Sequence, residues 1–374
     1  MTLLAHRCCS ITLSLAALLI TPVLQAQILV GQTAGYTGIS AGSVKETTDG
    51  AKLYFDAVNA KGGINGQKIE LISLDDKFEP KLAAENARIL ITERKVIALF
   101  LTRGTPHTEA VLPLLAQYKL PLVAPSSGAM VLHEPVNRYV FNVRATYQRE
   151  AEKAVLHLAS IGIDRIAVLQ VNDSFGDDGT AGAMKGFAKL KLQPVMSEKF
   201  DRAKPDFAPL VKKIAALAPQ AVMFIGTNLA VVDGVKQIRA AGARAQIVTL
   251  SNNASTGFVK ALGEHAHGTV VTQVFPGERA LAIGMVKELT DLAAAKGVAV
   301  ISPAMMEGYA GAKVLVEGLK RAGSNPSSEA LIRSLEGMSS YDLGGLKVSY
   351  SPTDHTGLDY ADLSIIGSDG KFRR

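Results

Sequence analysis

Ile28-Leu29-Val30-Gly31-Gln32-Thr33-Ala34-Gly35-Tyr36-Thr37-Gly38 is an apolar run that passes into a segment dotted with glycine. Beyond it, Val44, Thr47, Ala51, Tyr54, Phe55 and Val58 recur at helical spacing, and Gly62-Gly63 ends that helix because glycine takes the left-handed cap without steric cost. A short Asn65-Gly66 turn leads into a second strand pattern, Ile69-Glu70-Leu71-Ile72-Ser73-Leu74, which closes on Asp75-Asp76. Strand, crossover helix and strand make a right-handed parallel unit, and such sheets hold ligands at the loops leaving the carboxyl ends of their strands. Residues 32–43 are therefore the first place to expect a site.

The same alternation runs outward from there. Helical spacing over 80–93 precedes a buried-strand run at 96–101, the loop Thr102-Arg103-Gly104-Thr105-Pro106 and a helix over 108–118; Leu122-Val123-Ala124 is then followed by Pro125-Ser126-Ser127-Gly128. A second set comprises helices at 149–162, 180–189, 207–216 and 231–241 and strands at 165–170, 195–199, 221–225 and 246–250. Its loops are expected at 172–179 and 226–229, and its last strand ends in Ser251-Asn252-Asn253. Helices at 280–296 and 303–322 and terminal strands within 358–372 complete the pattern. Alternating βα units on this scale predict an α/β protein of two Rossmann-like, doubly wound lobes. The hydroxyl-bearing loops at 102–106 and 125–128 offer backbone N–H groups and side-chain donors that suit a carboxylate, although ordinary helix capping uses the same residue types.

The ordered set Gly35-Tyr36-Thr37-Gly38, Gly62-Gly63-Ile64-Asn65-Gly66-Gln67-Lys68-Ile69-Glu70-Leu71 and Asp75-Asp76 resembles the amino-terminal signature of type 1 periplasmic binding proteins, and most closely the branched-chain amino acid binding proteins of bacterial ABC importers. The resemblance extends over nearly all of the mature chain. It implies three hinge crossovers, at 139–145, 268–276 and 343–351. One lobe would comprise 27–142 and 277–346, the other 143–276 and 347–374. It also implies a ligand site of Tyr36, Gly104, Thr105, Ser126, Ser127, Gly128 and Asn228, with neutral donors around the ligand's acid group.

Three positions depart from the family pattern. Arg103 stands where a small or aromatic residue is usual, Phe175 replaces the tyrosine of an aspartate-x-tyrosine-glycine element, and Asn252 occupies the place of the carboxylate that holds an ammonium group. Asp173 or Glu278 could substitute for that carboxylate, so the ligand is left as a small amino acid or an organic acid. The implied partner is an ABC permease in the inner membrane, and the implied mechanism is clamshell closure of a monomer. A ligand-sensing receptor of the same fold, without transport, is the alternative.

Residues 1–26 read as a secretory signal with Arg7 as its only charge, and the apolar run of about 14 residues falls short of the roughly 20 that span a bilayer. A periplasmic location follows. Cys8 and Cys9 both precede that run, so the mature chain has no disulfide, thiolate metal site or cysteine nucleophile. Lys and Arg outnumber Asp and Glu by 40 to 34, but the excess is scattered without aromatic interleaving, which argues against nucleic acid. Gly38-Ile39-Ser40-Ala41-Gly42 satisfies G-x-S-x-G, yet a nucleophile elbow needs a strand directly before its serine, and none is predicted there. His265 and His267 lack a third metal ligand at recognisable spacing, and neither a dinucleotide nor a P-loop pattern occurs. No enzyme activity and no cofactor are expected.

Overall fold

The computed structural model describes residues 27–374; the expected signal segment lies outside the described residues. Among the described residues no helix is long and apolar enough to cross a membrane.

The opening stretch forms β1, Ile28–Ala34, followed by α1, Ala41–Ala60, and β2, Ile69–Asp75. β1 is longer than its apolar run predicts. It pairs with β2 from Ile28 opposite Ile69 to Ala34 opposite Asp75, and that ladder keeps Gln32 and Thr33 in the strand. Their buried polar side chains are satisfied by Thr48 and Asp76. α2 (Pro80–Thr92), β3 (Ala98–Phe100), α3 (Thr105–Tyr118), β4 (Leu122–Val123) and β5 (Val140–Phe141) complete a parallel sheet of order β2-β1-β3-β4-β5.

After α4 (Tyr147–Ser160) the second sheet is built from β6 (Ile166–Val171), α5 (Ser174–Leu190), β7 (Met196–Phe200), α6 (Ala208–Leu217), β8 (Ala221–Ile225), α7 (Asn228–Ala240), β9 (Gln246–Thr249), α8 (Thr256–Leu262) and β10 (Val270–Gln273). The chain returns to the first lobe through α9 (Gly284–Ala295), α10 (Pro303–Ala322), α11 (Ser328–Glu336) and the hairpin β11 (Tyr341–Asp342) and β12 (Lys347–Val348). It ends with β13 (Asp362–Ile366) and β14 (Phe372–Arg373), which add antiparallel to give the order β14-β13-β10-β9-β8-β6-β7. The architecture is the expected pair of doubly wound α/β lobes.

Three local expectations change. Residues 172–179 are mostly helix: Asp173 caps α5 by accepting from Phe175 and Gly176 N–H. The glycine at 176 serves close packing, since a Cβ there would lie 1.8 Å from Val171 O. Residues 268–276, expected as a crossover, contain β10, and only Val274 and Phe275 beyond it pack in the first core. α8 and α11 are helices that the sequence pattern does not predict. The first core also includes Val348, Tyr350 and Leu358, whereas Leu363 packs against the second. We therefore propose that the last crossing lies at 359–362 rather than at 346.

In each sheet the strand order reverses beside the first strand of its lobe, β1 and β6. Loops on either side of such a switch point diverge and leave a crevice at the carboxyl ends. The two crevices face each other.

Candidate functional site

The cavity between the lobes is walled by strand-end residues. From the first lobe come Ser40 and Ser43, Phe78 after β2, and Arg103, Gly104 and Thr105 after β3; from the second come Phe175, Arg202 after β7, Thr227 and Asn228 after β8, and Asn252 after β9, with Tyr147 at the start of α4. The walls stand close together, leaving about 20 Å³ for the centres of water molecules, room for about one. The lobes meet across this cavity, and a molecule much larger than water can enter it only if they part.

Arg103 joins the walls. It is 6% exposed, its Nη1 donates to Ser126 Oγ at 2.7 Å, and its Nη2 donates to Ser43 Oγ at 3.2 Å and across the cleft to the Asn252 carbonyl at 2.7 Å. Ser126 Oγ donates to Glu307 Oε1 at 2.8 Å, and Glu307 lies 3.9 Å from Arg103 and 3.5 Å from Arg144. Arg144 pairs with the fully buried Glu150 and donates to Ser251 Oγ at 2.6 Å. Glu150 also accepts from Ser251 N–H, at 2.9 Å, and from the Thr272 hydroxyl. A chain of alternating charges thus crosses the hinge directly behind the cavity.

The second lobe's wall carries Arg202, which pairs through Nε with Asp173 while its guanidinium stands 5.6 Å from the Phe78 ring centre across the cleft. Its Nη1 is buried and has no acceptor. The Asn252 amide donates to Gly226 O at 3.0 Å, which leaves its buried Oδ1 without a donor. Phe175 meets Tyr147 edge to face, with ring centres 4.8 Å apart, and Phe78 lies 4.1 Å from His107 behind it. Burial pushes His107 down to about 4, so its ring is neutral at pH 7. Phe78 is held by its N–H donating to Asp76, a buried carboxyl pushed up to about 6 by desolvation.

Of the expected site residues, Arg103, Gly104, Thr105, Phe175, Asn228 and Asn252 line the cavity. Ser126 and Ser127 stand behind it, Ser126 inside the ion network and Ser127 sharing a 2.8 Å hydrogen bond with Thr105 Oγ1. Two further expected residues do not line the cavity. Tyr36 turns its hydroxyl away, to Gln32 at 2.5 Å and Thr48 at 3.1 Å, because that buried polar cluster outcompetes the cleft for it. Gly128 is packed against the first crossover, where a Cβ would lie 2.6 Å from Ala145 O. Neither proposed stand-in acid is free in the cavity: Asp173 is the α5 cap and Arg202's partner, and Glu278 lines a different, C-terminal groove.

Ser40 and Ser43 fall within the expected 32–43 stretch without being singled out there, whereas Phe78, Tyr147, Arg202, Thr227 and Glu307 are not among the residues the sequence points to. Only position after a strand could have pointed to Phe78, Arg202 and Thr227. Ser40 of the G-x-S-x-G match ends the loop after β1 and precedes α1, with Gly35–Ile39 separating it from the strand, so it forms no elbow.

The sequence profile of the periplasmic binding protein family matches residues 27–370. An amino acid binding protein of Pseudomonas aeruginosa is 28% identical over 229 residues, 60% of this chain and 60% of that relative. The Leu/Ile/Val-binding protein BraC3 of Rhizobium johnstonii is 26% identical over 90% of this chain and 91% of its own length. Among solved structures, a substrate-binding periplasmic protein from Ralstonia solanacearum superposes with a TM-score of 0.86 at 30% identity, covering 92% of this chain and 99% of that one.

Proposed function

We infer, for a chain that belongs to the periplasmic binding protein family, that it captures a small amino acid or organic acid between its lobes and delivers it to an ABC permease of the inner membrane. The family is one of solute binders, not enzymes. The observation that carries the reading is the 2.7 Å bond from Arg103 of the first lobe to the Asn252 carbonyl of the second, which makes one cavity of two switch-point crevices. Hydroxyls of Ser40, Ser43, Thr105 and Thr227 and the amides of Asn228 and Asn252 supply neutral polar contacts, and Phe78, Tyr147 and Phe175 supply apolar walls. Export to the periplasm and a monomeric state belong to the same reading.

Mass spectrometry of the purified mature protein identifies the solute it retains. Returned in excess to solute-free protein, that compound is expected to lower the radius of gyration in X-ray scattering. At a hundredfold above its Kd it should stabilise the fold by about 2.7 kcal/mol, since it binds the native state alone. An unchanged radius of gyration and thermal midpoint would overturn capture by closure. Failure of the loaded protein to associate with its membrane permease would leave a sensor instead of a transporter component.

A further inference from the structure

We propose that the solute is a carboxylic acid with an apolar body and no ammonium group, and that Arg202 is the residue that selects it. This rests on the reading of the cleft as a solute site.

Two guanidinium groups line the cavity and no carboxylate does. The nearby acids are already engaged: Asp173 accepts two helix N–H groups and Arg202, Glu307 accepts from Ser126 beside two arginines, and Glu150 accepts from Arg144, Ser251 and Thr272. An ammonium closed into this space would be a buried cation without an anion of its own, which costs several kcal/mol. A carboxylate meets the opposite situation. Arg202 Nη1 is buried and lacks an acceptor, and the N-termini of α3 and α7 adjoin the cavity with no side-chain cap. Unmade donors and the positive ends of two helices both favour negative charge.

The rest of the wall describes the remainder of the molecule. Phe78, Tyr147 and Phe175 suit an apolar chain or ring, and Asn252 Oδ1, the buried acceptor without a donor, suits a neutral hydroxyl. Arg202 also stands over the ring of Phe78 from the opposite lobe, so its guanidinium spans the cleft.

The test uses calorimetry on solute-free mature protein with two matched triplets: leucine, 4-methylpentanoate and 2-hydroxy-4-methylpentanoate; phenylalanine, 3-phenylpropanoate and 3-phenyllactate. Within a triplet the members differ only at the α-substituent. The acid or hydroxy acid is expected to bind at least about tenfold more tightly than the amino acid. Arg202→Gln should weaken the acid by about 10- to 100-fold and Arg202→Lys by less, with an unchanged circular dichroism spectrum in both. Tightest binding by the amino acid would overturn the proposal while leaving solute capture intact, as would full acid affinity in Arg202→Gln or a retained compound that carries an amine or lacks a carboxylate. If none of the six binds and no retained compound closes the lobes, the underlying reading falls as well.

Discussion

At the hinge, Arg144 is 1% exposed and stands between Glu150 and Glu307, with Ser251 and Tyr147 filling its remaining sides; in the cleft, Arg202 has Asp173 on one nitrogen and nothing on another. The residue type is the same, and each has one buried Nη1 without a hydrogen-bond acceptor, but Arg144 stands between two carboxylates of the protein whereas Arg202 has one and lines the cavity. A buried charge held between two carboxylates is structural: it holds its neighbours in register, and removing the close partner leaves a buried charge poorly compensated. A buried donor without an acceptor on a cavity wall is a cost that a ligand entering the cavity can offset. The two arginines therefore separate stability from recognition, and each can be tested by what its loss damages.

The largest effect is expected at the hinge. Glu150→Gln keeps shape but strands Arg144, and should lower the unfolding free energy in urea by about 3–5 kcal/mol, whereas Arg202→Gln, at a partly exposed pair, should cost less than about 1 kcal/mol of stability. Similar losses in the two variants would erase the distinction. The double substitution Arg144→Met with Glu150→Leu sharpens it, since exchanging both partners for apolar groups should recover much of the loss.

Ser126 is the joint between the regions, accepting from Arg103 of the cleft and donating to Glu307 of the hinge. Ser126→Ala should cost about 1.5–3 kcal/mol by breaking hydrogen bonds to charged groups, and should weaken solute binding at the same time. A change in only one of these readouts would show that the two regions are not coupled through this hydroxyl.

Acid separates the regions in another way. Burial pushes His107 beside the cleft and His133 near the hinge down to about 4, with Arg144 adding to the effect on His133. Their folded values lie below the unfolded value of about 6.5, so the stability they contribute is full above pH 6.5 and is lost as pH falls toward 4. Asp76, pushed up to about 6, has the opposite sign: its protonation favours the fold as pH falls from 6 toward 4. Thermal midpoints between pH 7 and pH 4 should therefore fall less steeply in His107→Phe and in His133→Phe than in the parent, and more steeply in Asp76→Asn. Unaltered slopes would mean that these groups do not titrate on unfolding.

The smallest effect is expected at the rim, where Glu46 of α1 accepts from the N–H groups of Thr256 and Gly257 at 3.1 and 2.9 Å and so bridges the lobes in the closed form. Being partly exposed to solvent, that contact should be worth about 0.2–1 kcal/mol, and Glu46→Gln should weaken binding of the preferred solute by no more than about fivefold. A larger loss would place the rim beside the cleft in determining affinity.

The sequence alone determined the alternation of strands and helices, the two doubly wound lobes and the loops at their carboxyl ends, because hydrophobic periodicity and glycine punctuation are local properties that each segment carries with it. It also marked Thr105, Phe175 and Asn252 by where they follow a strand. Which side chains of those loops turn inward was decided only by packing between segments far apart in the chain. Tyr36 turns to Gln32 and Thr48, Gly128 is spent on the first crossover, and Arg103 reaches Asn252, 149 residues on. Arg202 had no pattern to announce it, since its spare nitrogen becomes significant only when the closed lobes bury it against Phe78 and leave it no acceptor.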